Sequence, residues 1–238
     1  MNREDRRLDE QTVALRLAKE FEDGMVVNLG GGLPTLACNM IPEGREILFH
    51  SENGLLGYGP IASVEEADWN LINASVQTVT PLPGMCFMSH DDSFAMIRGR
   101  HIDICALGAL QVSEKGDLAN WVRGNLSDYG GDIGTWVKTG QYPPGIGGAM
   151  DLAKGAKKII VAMTHVTKTG QPKIVKKCTY EITALGCVSK IITDMAVIEV
   201  GNNGLVLKEV AHGFTPEDIQ NVTEPTLMIA SDLKEIEL

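Results

Sequence analysis

The chain reads as an α/β domain: a largely parallel sheet flanked by helices. Three observations predict this. Short apolar runs bounded by Gly, Pro, Asn and Asp recur along the 238 residues. Segments with helical hydrophobic period lie between them, and strands alternating with helices are the pattern of parallel strands joined by crossovers. The length suits one large domain or at most two small ones, ample for a hydrophobic core.

The elements follow in order. Val13, Leu17 and Phe21 fall at i, i+4 and i+8 with charges between, so Asp9 to Phe21 is an amphipathic helix with Asp9 as its N-cap. Met25 to Leu29 is a buried strand ending in Gly30-Gly31-Gly32, and Pro34 opens a second helix through Leu36 and Met40. Glu46 to Phe49 is the next strand. Ile102–Leu107, Lys158–Met163, Lys190–Thr193 and Ala196–Val200 are further short apolar strands, with helices over Asp92–Ile97 and Ala149–Ala156. Gly201-Asn202-Asn203-Gly204 joins Met195–Val200 to Leu205–Val210 as a β-hairpin, since Asn and Gly tolerate positive φ. Thr215 caps a last helix with Pro216 in its first position.

Composition removes several function classes. A formal net charge of −10 disfavours nucleic-acid and anionic-membrane surfaces, which need clustered Lys and Arg. The five cysteines (Cys38, Cys86, Cys105, Cys178 and Cys187) are odd in number and form no C-x-x-C pair, as in reduced cytosolic thiols. The N-terminus has no apolar h-region and no apolar run is long enough to span a bilayer, so a soluble cytoplasmic protein is expected. Thr35 occupies the third glycine position of a G-x-G-x-x-G reading, and no G-K-[ST] exists. Nicotinamide and nucleoside triphosphate binding therefore fail on residues.

The richest stretch is Phe49-His50-Ser51-Glu52-Asn53-Gly54-Leu55-Leu56-Gly57, an apolar strand running into a carboxylate and an Asn-Gly turn. Carboxyl ends of strands are where open α/β sheets bind ligands. This stretch resembles the signature of the family I coenzyme A transferases. The likeness continues through Asn28-Leu29-Gly30, Leu71-Ile72-Asn73-Ala74, Ser93–Gly99, Leu107–Val112, Gly116–Trp121, Gly145–Leu152 and Lys176–Thr179. It is to the second, or B, subunit of such enzymes, or the C-terminal half of single-chain members. It implies the phosphosugar-isomerase-like fold of that family over residues 1–238. The segment Arg123–Pro144 is longer here than in the family, a lid or subunit contact on one reading and surface decoration on another.

The resemblance implies that Glu52 is the catalytic nucleophile of a ping-pong reaction, carrying CoA between short carboxylic acids as a glutamyl-CoA thioester. It points to a 3-oxoacid such as acetoacetate, with succinate or a short fatty acid as partner acid. CoA and acyl-CoA are substrates; no metal or other cofactor is expected. Each tetrahedral intermediate needs oxyanion donors, commonly contributing about 3–4 kcal/mol each. Gly147-Gly148-Ala149 is the candidate in this chain; the resemblance implies a backbone N–H at the position of Gly148, and Gly147 is carried as a CoA-site residue. A glycine turn before a helix is the plainer reading of the same residues. Asn28 is implied to line the CoA or carbonyl site, with turn capping as the alternative. Ser51 and Asn53 read as residues that fix the backbone beside Glu52, and Asn53 is also carried as a CoA-site residue. Ser89-His90-Asp91-Asp92 has metal-ligand types but suits a helix cap better. Trp121, Trp136 and Tyr142 are either adenine platforms or ordinary packing.

The family's active site lies between two related domains, and this chain has one S-E-N-G motif. A CoA-transferase A subunit is therefore the expected partner, in a hetero-oligomer such as a heterotetramer. Two other functions are weighed: an acyl-CoA hydrolase using the same Glu52, and a non-catalytic metabolite-binding relative.

Overall fold

The structure is a computed structural model and describes residues 6–123, 137–138 and 145–238. The extra segment expected at about 123–144, with Trp136 and Tyr142, falls almost entirely outside the described residues. In chain order the elements are α1 (Glu10–Ala18), β1 (Val26–Leu29), a 3-10 helix (Leu33–Met40), β2 (Leu48–Ser51), β3 (Leu55–Ile61), β4 (Val79–Phe87) and α2 (His90–Arg98). Then come β5 (Ile104–Leu107), β6 (Gln111–Ser113), β7 (Leu118–Ala119), α3 (Ala149–Gly155), β8 (Lys158–Met163) and β9 (Ile174–Val175). The chain closes with β10 (Val188–Thr193), β11 (Ala196–Gly201), β12 (Gly204–Val210), α4 (Pro216–Gln220) and β13 (Leu227–Glu235).

A ten-stranded sheet in the order β13-β12-β11-β10-β8-β5-β1-β2-β3-β4 organises these elements. Its middle, β2-β1-β5-β8-β10, is parallel throughout. Such strands are buried on both faces and read as apolar runs. Alternate residues serve opposite faces: Ile104, Ala106, Ile160 and Ala162 pack with Val13, Leu17 and Phe21. Cys105, Leu107, Ile159 and Val161 pack instead with Ile97 and Leu152 of α2 and α3. The period of two thus assigns each strand residue to one helical layer. Antiparallel β3 and β4 extend one side, and the β11–β12 hairpin extends the other. A separate three-stranded sheet, β7-β6-β9, stands apart.

The expected caps form: Asp9 accepts the Thr12 N–H at 2.7 Å, and Thr215 with Asp218 makes a capping box. The first helix ends at Ala18 and not at Phe21, whose ring leaves the helix to meet Phe49 edge-on at 6.1 Å. The helix opened by Pro34 is 3-10: the Thr35 N–H bonds to Gly32 O at 3.1 Å, and its hydroxyl to Gly30 O at 2.9 Å. Strands β3 and β4 carry Pro60, Pro81 and Pro83, which weaken the strand signal but are tolerated in an edge pair. Among the described residues no helix is long and apolar enough to cross a membrane. All five cysteines are free thiols.

Candidate active site

Three polar residues sit side by side within otherwise apolar strands. Asn28 of β1 is in register with His50 of β2 on one side and with Cys105 of β5 on the other. Asn28, His50 and Cys105 have no exposed surface. Glu52 lies two residues beyond His50, so its side chain leaves the same face of the sheet. That face is the one covered by α2 and α3.

Buried polar atoms must be satisfied, and here they satisfy one another. The Asn28 Nδ2 donates to Glu52 Oε2 at 3.2 Å and to His50 O at 3.2 Å, and lies 3.1 Å from His50 Nδ1. The Cys105 thiol donates to Asn28 Oδ1 at 3.5 Å, which fixes which end of the amide faces Glu52. Burial, and then the charge of Glu52, push the Cys105 thiol well up, so it keeps its proton. Burial also pulls His50 down to about 4, leaving a neutral ring at pH 7. Because Nδ1 faces an amide donor, it accepts, and the proton sits on Nε2. That N–H donates to Ser93 Oγ of α2 at 2.9 Å. The chain Ser93–His50–Asn28–Glu52 therefore holds one carboxylate oxygen from the interior.

The turn after β2 sets Glu52 at the wall of a cleft. The Ala74 N–H donates to Ser51 Oγ at 2.8 Å, the Asn53 amide donates to Ile72 O at 2.8 Å, and the Gly54 N–H closes onto Ser51 O at 2.9 Å. Gly54 has φ +116°, and a Cβ there would lie 2.4 Å from Met88 O, so the turn accepts only glycine. Glu52 emerges half-buried on the wall of a cleft of about 690 Å³. Gly30 to Gly32, Ser75, Gly108 to Leu110, Asn120 and Gly145 to Ala149 line it too. Gly148 is the N-cap of α3 with φ −82°; a Cβ there would meet Phe94 Cζ at 3.1 Å and Glu52 Cγ at 3.4 Å. The glycine leaves backbone facing the Glu52 stem, and a methyl there would press on Phe94 and touch that stem.

Of the residues singled out from sequence, Glu52, Gly147 and Gly148 meet in the cleft. Asn28 does not line it; it is buried behind Glu52 and touches the carboxylate. Asn53 is not among the lining residues either: it is exposed and braces the turn. Ser89 caps α2 by accepting the Asp92 N–H at 3.1 Å. The roles of His50, Ser93 and Cys105 were missed from sequence. Their signal was present, as polar residues at interior positions of apolar strands and on a buried helix face, but the cross-strand register that joins them is not visible in one sequence.

Residues 10–221 match the sequence model of the family described as Coenzyme A transferase. The chain is 44% identical over 225 residues to the B subunit of the 3-oxoadipate CoA-transferase of Acinetobacter baylyi, covering 94% of this chain and 97% of that one. It is 46% identical over 221 residues to the mitochondrial succinyl-CoA:3-ketoacid coenzyme A transferase 2 of Homo sapiens, covering 92% of this chain but 40% of the human protein. In structure it resembles an acyl-CoA transferase of Escherichia coli O157:H7, with a TM-score of 0.70, 21% identity, and coverage of 96% of this chain and 43% of that one. A glutamate-bearing cleft on this sheet and a family match over most of its length agree: the chain belongs to the coenzyme A transferase family.

Proposed function

We propose that this chain is the nucleophile-bearing B subunit of an enzyme that moves CoA between short carboxylic acids through Glu52. The observation that carries the reading is the half-buried Glu52 carboxylate, held on one oxygen by Asn28 and presented to a cleft beside Gly148. Glu52 attacks the thioester carbonyl, the C–S bond breaks, and CoA leaves as thiolate from an acyl-glutamyl anhydride. The thiolate then attacks the γ-carbonyl, the C–O bond breaks, and the first acid departs from a glutamyl-CoA thioester. A second carboxylate reverses both steps. Splitting the transfer in this way gives ping-pong kinetics.

The Gly148 N–H is the donor we assign to the oxyanions of both tetrahedral intermediates. The neighbouring Ala149 N–H is taken up by Ile146 O at 3.3 Å. Asn28 holds the carboxylate in place, and its other contacts keep it from turning with each change of charge. The acids are a 3-oxoacid together with succinate or a short fatty acid; the relatives' names carry 3-oxoadipate, succinyl-CoA and 3-ketoacid.

A partner A subunit completes the site. Relatives of this length are named as B subunits, and longer relatives carry the matching region as two-fifths of one chain. Exposed apolar side chains support the same view. Trp69 is 77% exposed and Phe87 of the β4 edge 65%, with Val64 and Val76 also outside. Large apolar side chains left exposed in this way suit a subunit interface. The test is exchange of CoA between acetoacetate, succinate and short fatty acids, by the chain alone and with its A subunit. Transfer only in the assembled pair is expected. Full turnover by the lone chain contradicts the two-subunit reading, and thioester hydrolysis without transfer by the pair favours a hydrolase.

A further inference from the structure

A second cavity, of about 520 Å³, lies along the same carboxyl edge of the sheet and shares Leu110 with the Glu52 cleft. Its walls carry Arg7, Arg123, Lys168 and Lys173. Local structure gathers them. The segment after β8 folds back on itself, with Val166 bridged to Pro172 and the Thr167 N–H donating to Gln171 O at 2.8 Å. That turn presents Lys168, and Lys173 follows it, tied by its own carbonyl to the Val112 N–H of β6 at 2.9 Å.

Four cations in one cavity are unexpected in a chain of net charge −10. Their counter-charge within the chain is thin. Arg7 reaches Asp194 only at 3.9 Å, and its buried Nε has no hydrogen-bond partner. Among the described residues none of Arg123, Lys168 and Lys173 forms an ion pair; Lys173 has only a 3.5 Å contact to the Thr164 hydroxyl. Burial holds Lys173 down to about 8, with the charge of Arg123 adding to this and Asp194 opposing it. An anion in the cavity would relieve both effects.

Four cations lining one cavity exceed what one carboxylate can neutralise and match a phosphate dianion or a pair of phosphates. The position also argues against the reacting acid. Three strand spacings of about 4.8 Å, about 14 Å in all, separate the end of β2, which leads to Glu52, from the end of β8, whose following segment lines the cavity. A short acid bonded at Glu52 does not span that distance, whereas the long arm of CoA does.

We propose that this cavity binds a phosphate oxyanion, carried either on the nucleotide end of CoA or free as inorganic phosphate. The CoA source rests on the transferase reading above; the free source does not. The test is calorimetric titration of the assembled enzyme with inorganic phosphate and with adenosine 3′,5′-bisphosphate, for wild type, Lys173→Met and the exposed-rim variant Lys168→Glu. At least one probe should bind the wild type, more weakly as salt is raised, with Kd at least tenfold higher in both variants.

If CoA supplies the phosphates, the bisphosphate is the probe that weakens, and the preference for acyl-CoA over the nucleotide-free acyl-pantetheine thioester falls at least tenfold. If free phosphate is the ligand, phosphate binding weakens and that preference stays at the wild-type value. Neither probe binding the wild type, or both binding folded variants as tightly as wild type, overturns the proposal. Absence of transfer from any thioester by the wild type instead sinks the transferase reading and leaves the phosphate titration standing.

Discussion

Asn28→Asp keeps the shape of the side chain and changes one group, the amide that donates to Glu52. Two effects follow from the geometry. The donor 3.2 Å from Glu52 Oε2 is lost. A hydrogen bond to a charged group contributes about 1.5–3 kcal/mol, and at about 1.36 kcal/mol per decade its loss lowers the rate about 10- to 150-fold. A second carboxylate would also stand about 3–4 Å from the first, where the repulsion at an effective dielectric near 20 is on the order of 4–5 kcal/mol. Ionising both is opposed by that amount, so through the acid range the pair shares a proton. The acid limb of the rate profile should then move up by on the order of 3 pH units. The assay is kcat against pH for the assembled enzyme, with the melting temperature of each variant measured alongside. A fall of about 10- to 150-fold at pH 7, partly recovered near pH 9, is expected. A kcat within threefold of wild type and an unmoved acid limb would refute the role given to Asn28.

Other outcomes are as specific. Gly148→Ala places a methyl 3.1 Å from Phe94 and 3.4 Å from the Glu52 stem without backbone strain; turnover should fall at least about tenfold with a near-native melting curve, and a collapse of folding instead would assign this glycine to packing. Arg16 is buried and bonds both oxygens of Glu209, at 2.8 and 2.9 Å, and Glu20 at 2.9 Å. Arg16→Met strands Glu209, while Glu20 keeps Lys190 and Lys158, and should cost about 3–5 kcal/mol in denaturant unfolding; a loss below about 1 kcal/mol would contradict the network. Acid should destabilise the chain before its carboxylates protonate. His50 is held down to about 4 and His165 to about 3, mainly by burial, so the unfolded state binds more protons as pH falls below about 6.5. Stability is complete above that pH and falls by up to about 1.4 kcal/mol per pH unit per histidine down to the folded values; equal unfolding free energies at pH 7 and pH 5 would exclude it.

How much of this was legible in the sequence differs by element, for physical reasons. The parallel centre was readable because strands buried on both faces must be apolar throughout, as in Ile104–Leu107 and Lys158–Met163. Caps at Asp9, Ser89 and Thr215 were readable because the side chain and the backbone donor are close in sequence. The edges were not. β4 holds two prolines and β13 is largely exposed, so their pairing depends on a neighbour that local pattern does not encode. Glu52 and Gly148 announced themselves as a turn carboxylate and a glycine before a helix. What makes Glu52 a site is long-range: Ser93, His50 and Asn28 meet because β1, β2 and α2 pack together, with contacts 43 and 22 residues apart. A lone Asn at the end of an apolar strand reads equally as a cap, and only the register distinguishes the two.

The central claim is that Glu52 is the group on which CoA is carried. It is tested by incubating the assembled enzyme with an acyl-CoA, trapping the enzyme-bound thioester with borohydride or hydroxylamine, and locating the modified peptide by mass spectrometry. The account predicts one modified side chain, Glu52, formed in proportion to lost activity and absent from a folded Glu52→Ala variant. Modification of another residue, or transfer retained by Glu52→Ala, would contradict it.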